Sequence, residues 1–504
     1  MTDLDANTEV AIVGYGPVGA TLAILVARQG RSVVVLERQP HPYPLPRAVH
    51  MDHEVARIIQ SCGLGEGLGR ISEPADLYEW RNGDGVTLLR LGRDGVGRSG
   101  WAQSLMFNQP ALEAILDQQA RSVGVHVRRG VEVTGLNQDD SGVTLQTANG
   151  QTLRARYAVG CDGANSTVRQ LCQVGLHDLG FFYDWLIVDV VLNEPRVFDP
   201  INLQVCDPSR PTTVVSGGPG RRRWEFMRLP HETLEELNSA PRAWELLEPW
   251  DVHPDNADLE RHTVYTFNAR YAQRWRTGRV FLAGDAAHQT PPFAGQGMCA
   301  GIRDAANLAW KLDLALTGRA PDRLLDSYEP ERRPEVCASI DFAMELGKII
   351  CVPDPVEAAA RDQAMAASVS PEPTEVPPLP PIEAGIVEPG SAQAGHLFPQ
   401  GKVGVKRFDD VHGAGWRLIA VGDLPQADDE LARWFERIGG RVVTVAADDL
   451  VYGSWFTEHA CTAALQRPDF HLYGTAADIS EISALLSGLR DRISQPSQLQ
   501  GALP

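Results

Sequence analysis

The segment Val10-Ala11-Ile12-Val13-Gly14-Tyr15-Gly16-Pro17-Val18-Gly19 decides the fold class. Four apolar residues run into Gly-x-Gly-x-x-Gly. A helical stretch follows over residues 20–29, and a second apolar strand over 32–36 ends at Glu37. This strand–turn–helix–strand order is that of a dinucleotide-binding unit. Gly14 permits the tight turn, Gly16 lets the backbone approach a pyrophosphate, and Gly19 lets helix and strand pack closely. The helix start at Pro17 and Val18 turns backbone amides toward anionic phosphates. Glu37, followed by Arg38, arrives about 20 residues on, where a carboxylate accepts hydrogen bonds from a ribose diol. The turn alone leaves the nucleotide open between NAD and FAD.

Later segments narrow the choice. The stretch Arg279-Val-Phe-Leu-Ala-Gly284-Asp285-Ala-Ala-His288 is followed by Pro291-Pro292-Phe-Ala-Gly295-Gln-Gly297-Met298 and by Asp304-Ala-Ala-Asn307-Leu-Ala-Trp-Lys311. Together they resemble the flavin-ribityl motif of the single-component FAD-dependent aromatic hydroxylases. Cys161-Asp162-Gly163-Ala164-Asn165-Ser166-Thr167-Val168-Arg169 resembles the same family's Asp-Gly motif. The resemblance covers most of residues 9–335 and implies FAD as bound cofactor, NADH or NADPH as transient reductant, and O2 as co-substrate. Reduced flavin takes up oxygen at its C4a carbon and offers an electrophilic oxygen to an electron-rich ring. A phenolic substrate hydroxylated ortho to its hydroxyl, giving a catechol, is therefore expected. Within the family, Trp185-Leu-Ile-Val-Asp189, Arg222-Arg-Trp-Glu-Phe-Met227 and the run from Ile350 to Asp362 point toward 3-(3-hydroxyphenyl)propionate or a similar phenolic acid. A tailoring hydroxylase for a larger polyketide phenol and a non-catalytic flavoprotein stay open as alternatives. None of the eleven tryptophans forms the Trp-x-Trp pair of a flavin halogenase. No second Gly-x-Gly-x-x-Gly follows a strand, so no separate nicotinamide domain is expected.

The resemblance also implies roles for individual residues. Asp285 accepts hydrogen bonds from the ribityl hydroxyls, or caps the helix after it. Amides around Gly297 and Met298 serve the flavin pyrimidine edge, and Gly284 and Gly295 are further cofactor-binding positions. Arg47 lies near the pyrophosphate, Gln109 contacts the cofactor, and Asp162 lies near FAD. Pro292 stiffens the loop on the substrate side. His50 and Tyr265 are candidates for handling the phenolic proton, each with a structural reading beside it. His288 is read either as a base or as a packing residue. Cys299 stands where many relatives have asparagine. For a carboxylate-bearing substrate, Arg223 or Arg228 is the expected cation.

A length of 504 residues exceeds one ordinary core, and 43% hydrophobic with 22% charged residues is the balance of a globular enzyme. A net charge of −19 argues against nucleic acid as a partner. The eight cysteines include no Cys-x-x-Cys pair, so no metal site or disulfide is expected, and reduced thiols fit a cytoplasmic location. Neither a signal peptide nor a membrane span is visible. The expected architecture is α/β. A discontinuous Rossmann-type FAD-binding domain takes residues 1–180 and 270–350. An inserted β-rich substrate domain takes 181–269, a Pro-rich linker 351–389, and a thioredoxin-like C-terminal domain 390–504. That last domain has Cys461 as its lone thiol, so a dithiol redox role fails, and packing or homodimer formation is its expected use.

Overall fold

The computed structural model describes residues 8–370, 372–422 and 429–495. Pro371 of the expected linker, and Asp428 and residues 496–504 of the expected C-terminal domain, lie outside them. The nucleotide signature folds as read. Strand β1 (Thr8–Val13) enters the turn, helix α1 (Pro17–Arg28) follows, and β2 (Val33–Glu37) returns beside β1. Their interiors are near-continuous apolar runs, as parallel strands covered on both faces require. Strands β3 (Thr152–Gly160) and β4 (Val280–Leu282) extend the parallel sheet on one side of β1, and His126–Arg129 extends it beyond β2. In register, Val13 lies opposite both Leu36 and Gly160, and Gly160 lies opposite Leu282. Four strands thus end at one level, and every cofactor motif named above begins where one of them stops. Ligands of open parallel sheets bind at such carboxyl ends.

Helix α2 (Gly297–Leu316) is buried along nearly its whole length and packs on α1. Its amino end points back toward the same strand ends.

The substrate layer is a largely antiparallel sheet of nine strands. Its long members are Ala257–Ala272, Leu176–Leu192 and Arg221–Met227, followed by Thr212–Ser216 and Asn202–Val205. The sheet then takes in Leu77–Arg81 and Thr87–Gly92, from the stretch that sequence assigns to the FAD-binding domain. This hairpin turns at Asn82-Gly83-Asp84-Gly85 and joins through parallel pairing of Leu77–Arg81 with Asn202–Val205, a contact no local pattern encodes.

The expected linker opens with a helix, Pro355–Ala366. Asp354 caps it by accepting from the amides of Val356 and Glu357, and Pro355 supplies a preset first turn. The C-terminal unit carries a four-stranded sheet in which Arg417–Val421 pairs parallel with Arg441–Val445 and antiparallel with Ala463–Gln466. The helix Tyr452–Glu458 belongs to the same unit. The unit docks through buried charge. Arg57 Nε donates to Asp409 Oδ2 at 2.6 Å, and Glu331 accepts from both Lys311 Nζ at 2.8 Å and Arg467. All eight cysteines are unpaired. Among the described residues no helix is long and apolar enough to cross a membrane.

Candidate active site

A cavity of about 350 Å³ opens at the shared ends of the parallel strands and runs under the substrate sheet. Three unmet chemical demands meet in it. Gly16 lines the cavity, and a Cβ placed there would touch nothing within 4 Å, so its backbone is open to an incoming group. Helix α1 has no side-chain cap, which leaves its first amides free for an anion. The amino end of α2 is likewise uncapped, with Gly297 and Met298 on the cavity wall. Asp285 also faces the cavity, and among the described residues no protein group hydrogen-bonds its carboxylate. Burial raises its pKa, opposed by the charges of His288 and Arg47. A pyrophosphate, a ring with an acceptor edge and a polyol would satisfy these demands in turn. The residues fit FAD.

The remaining glycines serve the turn itself. Gly14 has φ of +98°, and a Cβ there would lie 2.4 Å from the carbonyl oxygen of Cys161. A Cβ on Gly19 would lie 2.2 Å from the carbonyl oxygen of Gly14, so helix and turn meet without room for a methyl.

Of the other expected cofactor residues, Arg47 and Gln109 line the cavity, whereas Glu37, Arg38 and Asp162 do not. Glu37 accepts from the amides of Tyr15 and Gln39, each at 2.8 Å, and does not line the cavity; neither does the exposed Arg38. Gln109 Oε1 accepts from the amides of Arg47 and Ala48 at 3.2 and 2.7 Å, so it shapes the loop that carries Arg47 into the cavity. Asp162 accepts from Ser166 Oγ at 2.5 Å and from the Val168 amide at 3.1 Å. It thereby secures the following helix, while Cys161, Gly163 and Ala164 supply the wall. Asp285 makes no capping bond, which removes the helix-cap alternative. His288 is buried, its Nε2 2.7 Å from Asp304 Oδ2, and it packs against Trp275. That is the packing reading, since the ring does not reach the cavity.

On the substrate side, Ile187, Phe267 and Phe293 form an apolar wall backed by the buried Trp185, whose ring centroid lies 5.9 Å from Phe267 and 5.7 Å from Phe293. Pro292 starts the short turn that ends at Gly295, and both line the cavity. Tyr265 lies at the mouth, 45% exposed. His50 lines the cavity with both ring nitrogens engaged: Nδ1 is 3.3 Å from the Gly295 carbonyl, and Nε2 is 3.3 Å from Arg93 Nη1. Burial, aided by the Arg93 charge, pushes its pKa down to about 4. The imidazole is therefore neutral near pH 7, with Nε2 accepting from Arg93 and Nδ1–H donating to Gly295.

The cations expected from sequence are otherwise engaged. Arg223 grips Asp189 with two bonds of 2.7 and 3.0 Å and donates to the carbonyls of Arg47 and Pro46. Arg228 pairs with Asp184 at 3.0 Å and does not line the cavity. Polar residues that sequence reading did not single out line the substrate side instead: Tyr78, Arg93, Asn202, Thr213 and Glu225. Glu225 has Arg223 3.7 Å away, and burial raises its pKa. Only Glu225 lies in a stretch quoted above, Arg222–Met227, and strand pairing across the sheet is what gathers these residues.

Residues 7–343 match the family model described as FAD binding domain. A relative from Rhodococcus jostii (strain RHA1) named "Probable NADH-specific resorcinol 4-hydroxylase" is 39% identical over 95% of this chain and 94% of its own. The 3-(3-hydroxy-phenyl)propionate/3-hydroxycinnamic acid hydroxylase of Burkholderia cenocepacia (strain HI2424) is 34% identical over 92% and 93%. Among solved structures, the flavin-dependent monooxygenase PieE in complex with FAD and substrate has a TM-score of 0.81 over 97% of this chain and 99% of its own; at 21% identity this shows the fold alone. Aklavinone-11 hydroxylase in complex with FAD and aklavinone has a TM-score of 0.77 at 25% identity, over 97% and 100%. A nucleotide turn open at Gly16, two uncapped helix ends and an unpartnered Asp285 thus stand in a chain of matching length and sequence. The chain belongs to the FAD-binding family of aromatic hydroxylases and is an FAD-dependent aromatic monooxygenase.

Proposed function

We propose that the enzyme hydroxylates a single-ring, meta-substituted phenol ortho to a hydroxyl, using NAD(P)H and O2, with 3-(3-hydroxyphenyl)propionate or resorcinol as the type of substrate. Both relatives are named for such rings, one bearing a second hydroxyl and the other a carboxylate arm. The observation that carries the reading is the cavity itself, in which an aromatic wall faces a polar corner beside the Pro292–Gly295 loop. At about 350 Å³ the cavity is at the small end for ligand sites, and the flavin ring shares it. The single-ring names of both relatives favour one aromatic ring over a fused polyketide.

Bound FAD supplies the two-electron chemistry and the activation of oxygen. The protein holds and shields the ring. Phe267, Phe293 and Ile187 clamp its faces and exclude water. The phenolic proton needs an acceptor. His50 has its Nε2 lone pair occupied, and Tyr265 sits at the mouth. Glu225 is the carboxylate on the substrate side; burial brings its pKa closer to neutrality, where a carboxylate is a better base. Glu225 is assigned as the proton acceptor in this reading.

The test is NADH oxidation and oxygen uptake by purified holoenzyme with resorcinol, 3-(3-hydroxyphenyl)propionate and a tetracyclic phenol. The expected result is stimulation by the single-ring phenols, with a product one oxygen heavier that behaves as a catechol. Stimulation by the tetracyclic phenol alone, or by none, refutes the reading.

A further inference from the structure

Arg93 follows the strand Thr87–Gly92 and lines the substrate half of the cavity. Its situation differs from that of its neighbours. Arg223 is held by Asp189, and Arg261 donates to the carbonyl of Pro46. Arg47, at the cofactor end, stacks on Tyr43 with 4.8 Å to the ring centroid. Among the described residues the Arg93 guanidinium has one hydrogen-bond partner, His50 Nε2 at 3.3 Å, and it sits 5.8 Å from the centre of the Tyr78 ring. Among the described residues no carboxylate lies within ion-pair distance of it. Asp52, the acid closest to His50 in sequence, is paired with Arg303 at 2.5 Å. A guanidinium carries five donors, so most of those on Arg93 are left for whatever enters the cavity. A half-buried cation without a counter-ion is costly, and removal from water lowers the pKa of this one. An anionic ligand relieves that cost.

We propose that Arg93 receives an anionic oxygen of the aromatic substrate, and that His50 positions it. The assignment rests on the function proposed above and names the recognition element of that same site. His50 is wedged between Arg93 and the Gly295 carbonyl, so it fixes the guanidinium relative to the loop beside the flavin site. The anionic oxygen is either the carboxylate of a phenolic acid or the ring oxygen as phenolate. An arginine fork suits both.

The surrounding groups allow a clean test. His50 is neutral near pH 7, and burial raises the Tyr78 hydroxyl and the Cys299 thiol far above their usual ranges. Against the penalty of burial, the Arg303 charge holds Asp52 well below the carboxylate range. None of these groups changes charge between pH 7 and mildly alkaline solution; Glu225, also on the cavity wall and raised by burial, is followed in holoenzyme without phenol over the same range, so an ionisation present only in the complex is that of the phenol.

The experiment is a binding titration, read from the flavin absorbance of holoenzyme without reductant, for wild type, Arg93→Gln and Arg93→Lys. Three probes are used: 3-(3-hydroxyphenyl)propionate, its neutral amide, and resorcinol at several pH values. FAD content and melting temperature establish that the variants are folded. If the carboxylate is the ligand, wild type prefers the acid to the amide, and Arg93→Gln loses about 10- to 100-fold on the acid alone. If phenolate is the ligand, wild type lowers the ionisation pH of bound resorcinol, and Arg93→Gln returns it upward. Arg93→Lys lies between in either case. The proposal is overturned if wild type shows neither preference, or if Arg93→Gln keeps the one that wild type shows. Turnover reports on the function separately, because binding is read whether or not any phenol is hydroxylated.

Discussion

Alanine at position 16 separates cofactor binding from folding, and alanine at position 19 does the reverse. Gly16 has φ of −78° and ψ of −174°, ordinary extended backbone, and its missing Cβ would meet nothing within 4 Å. The folded apoprotein therefore pays no steric penalty. Restricting the unfolded chain returns about 0.4–1 kcal/mol, and losing a glycine helix cap removes a few tenths, so net stability changes by about 0.5 kcal/mol or less. The added methyl points into the cavity, between the uncapped α1 amides and any phosphate. Loss of one charge-assisted hydrogen bond is worth about 1.5–3 kcal/mol, or about 10- to 100-fold in FAD affinity. At Gly19 the new Cβ would stand 2.2 Å from a backbone oxygen that cannot move aside freely, and overpacking of that kind costs about 1–3 kcal/mol. Urea midpoints of the apoproteins and quenching of FAD fluorescence measure the two effects. The reasoning is refuted if Gly16→Ala lowers the apoprotein midpoint as much as Gly19→Ala does, or if it binds FAD like wild type.

Asp285→Asn weakens FAD binding, measured by the same quenching. Because burial raises the Asp285 pKa, the folded apoprotein binds more protons than the unfolded chain, so stability falls as pH rises from the ordinary carboxylate range through the raised value. The asparagine variant flattens that decline in urea midpoints taken across the range. His50 has the opposite sign: its folded pKa near 4 lies below the unfolded value of 6.5, so its contribution to stability is present above pH 6.5 and lost as pH falls toward 4. His50→Asn reduces this acid sensitivity, and an unchanged slope would count against the buried, neutral imidazole. Arg223→Ala leaves the buried Asp189 without its partner and releases the carbonyls of Pro46 and Arg47, for a loss of about 3–5 kcal/mol together with weaker FAD binding. Adding Asp189→Ala restores part of the stability but not the FAD affinity; restoration of neither contradicts the pairing.

Legibility followed the range of the interactions. Gly16 and Gly19 act on the turn and helix a few residues away, so their spacing carries their roles, whereas Gly14 also makes room for the distant Cys161 carbonyl. Glu37 was placed correctly at the end of β2, yet its carboxylate turns out to bridge the Tyr15 and Gln39 amides behind the cavity wall. The helix Pro355–Ala366 was written in Asp354-Pro355-Val356-Glu357, an N-cap followed by proline, although the prolines after it made the whole stretch read as linker. His50 has the intrinsic chemistry of a base; the two contacts that engage its nitrogens come from residues 43 and 245 positions away.

What this amino-acid order determined by itself is the nucleotide half: a strand, a glycine turn and a helix, completed by two further motifs at strand ends. These are local geometries, set by backbone freedom and helix-end polarity, and they survive in one dimension. The substrate half was decided only by tertiary structure. Arg223, Arg228 and Arg93 look alike along the chain, and which of them stays open to a ligand depends on where Asp189 and Asp184 come to lie in the folded sheet. Charge pairing works through space, so the same arginine is a structural clamp in one register and a binding group in another.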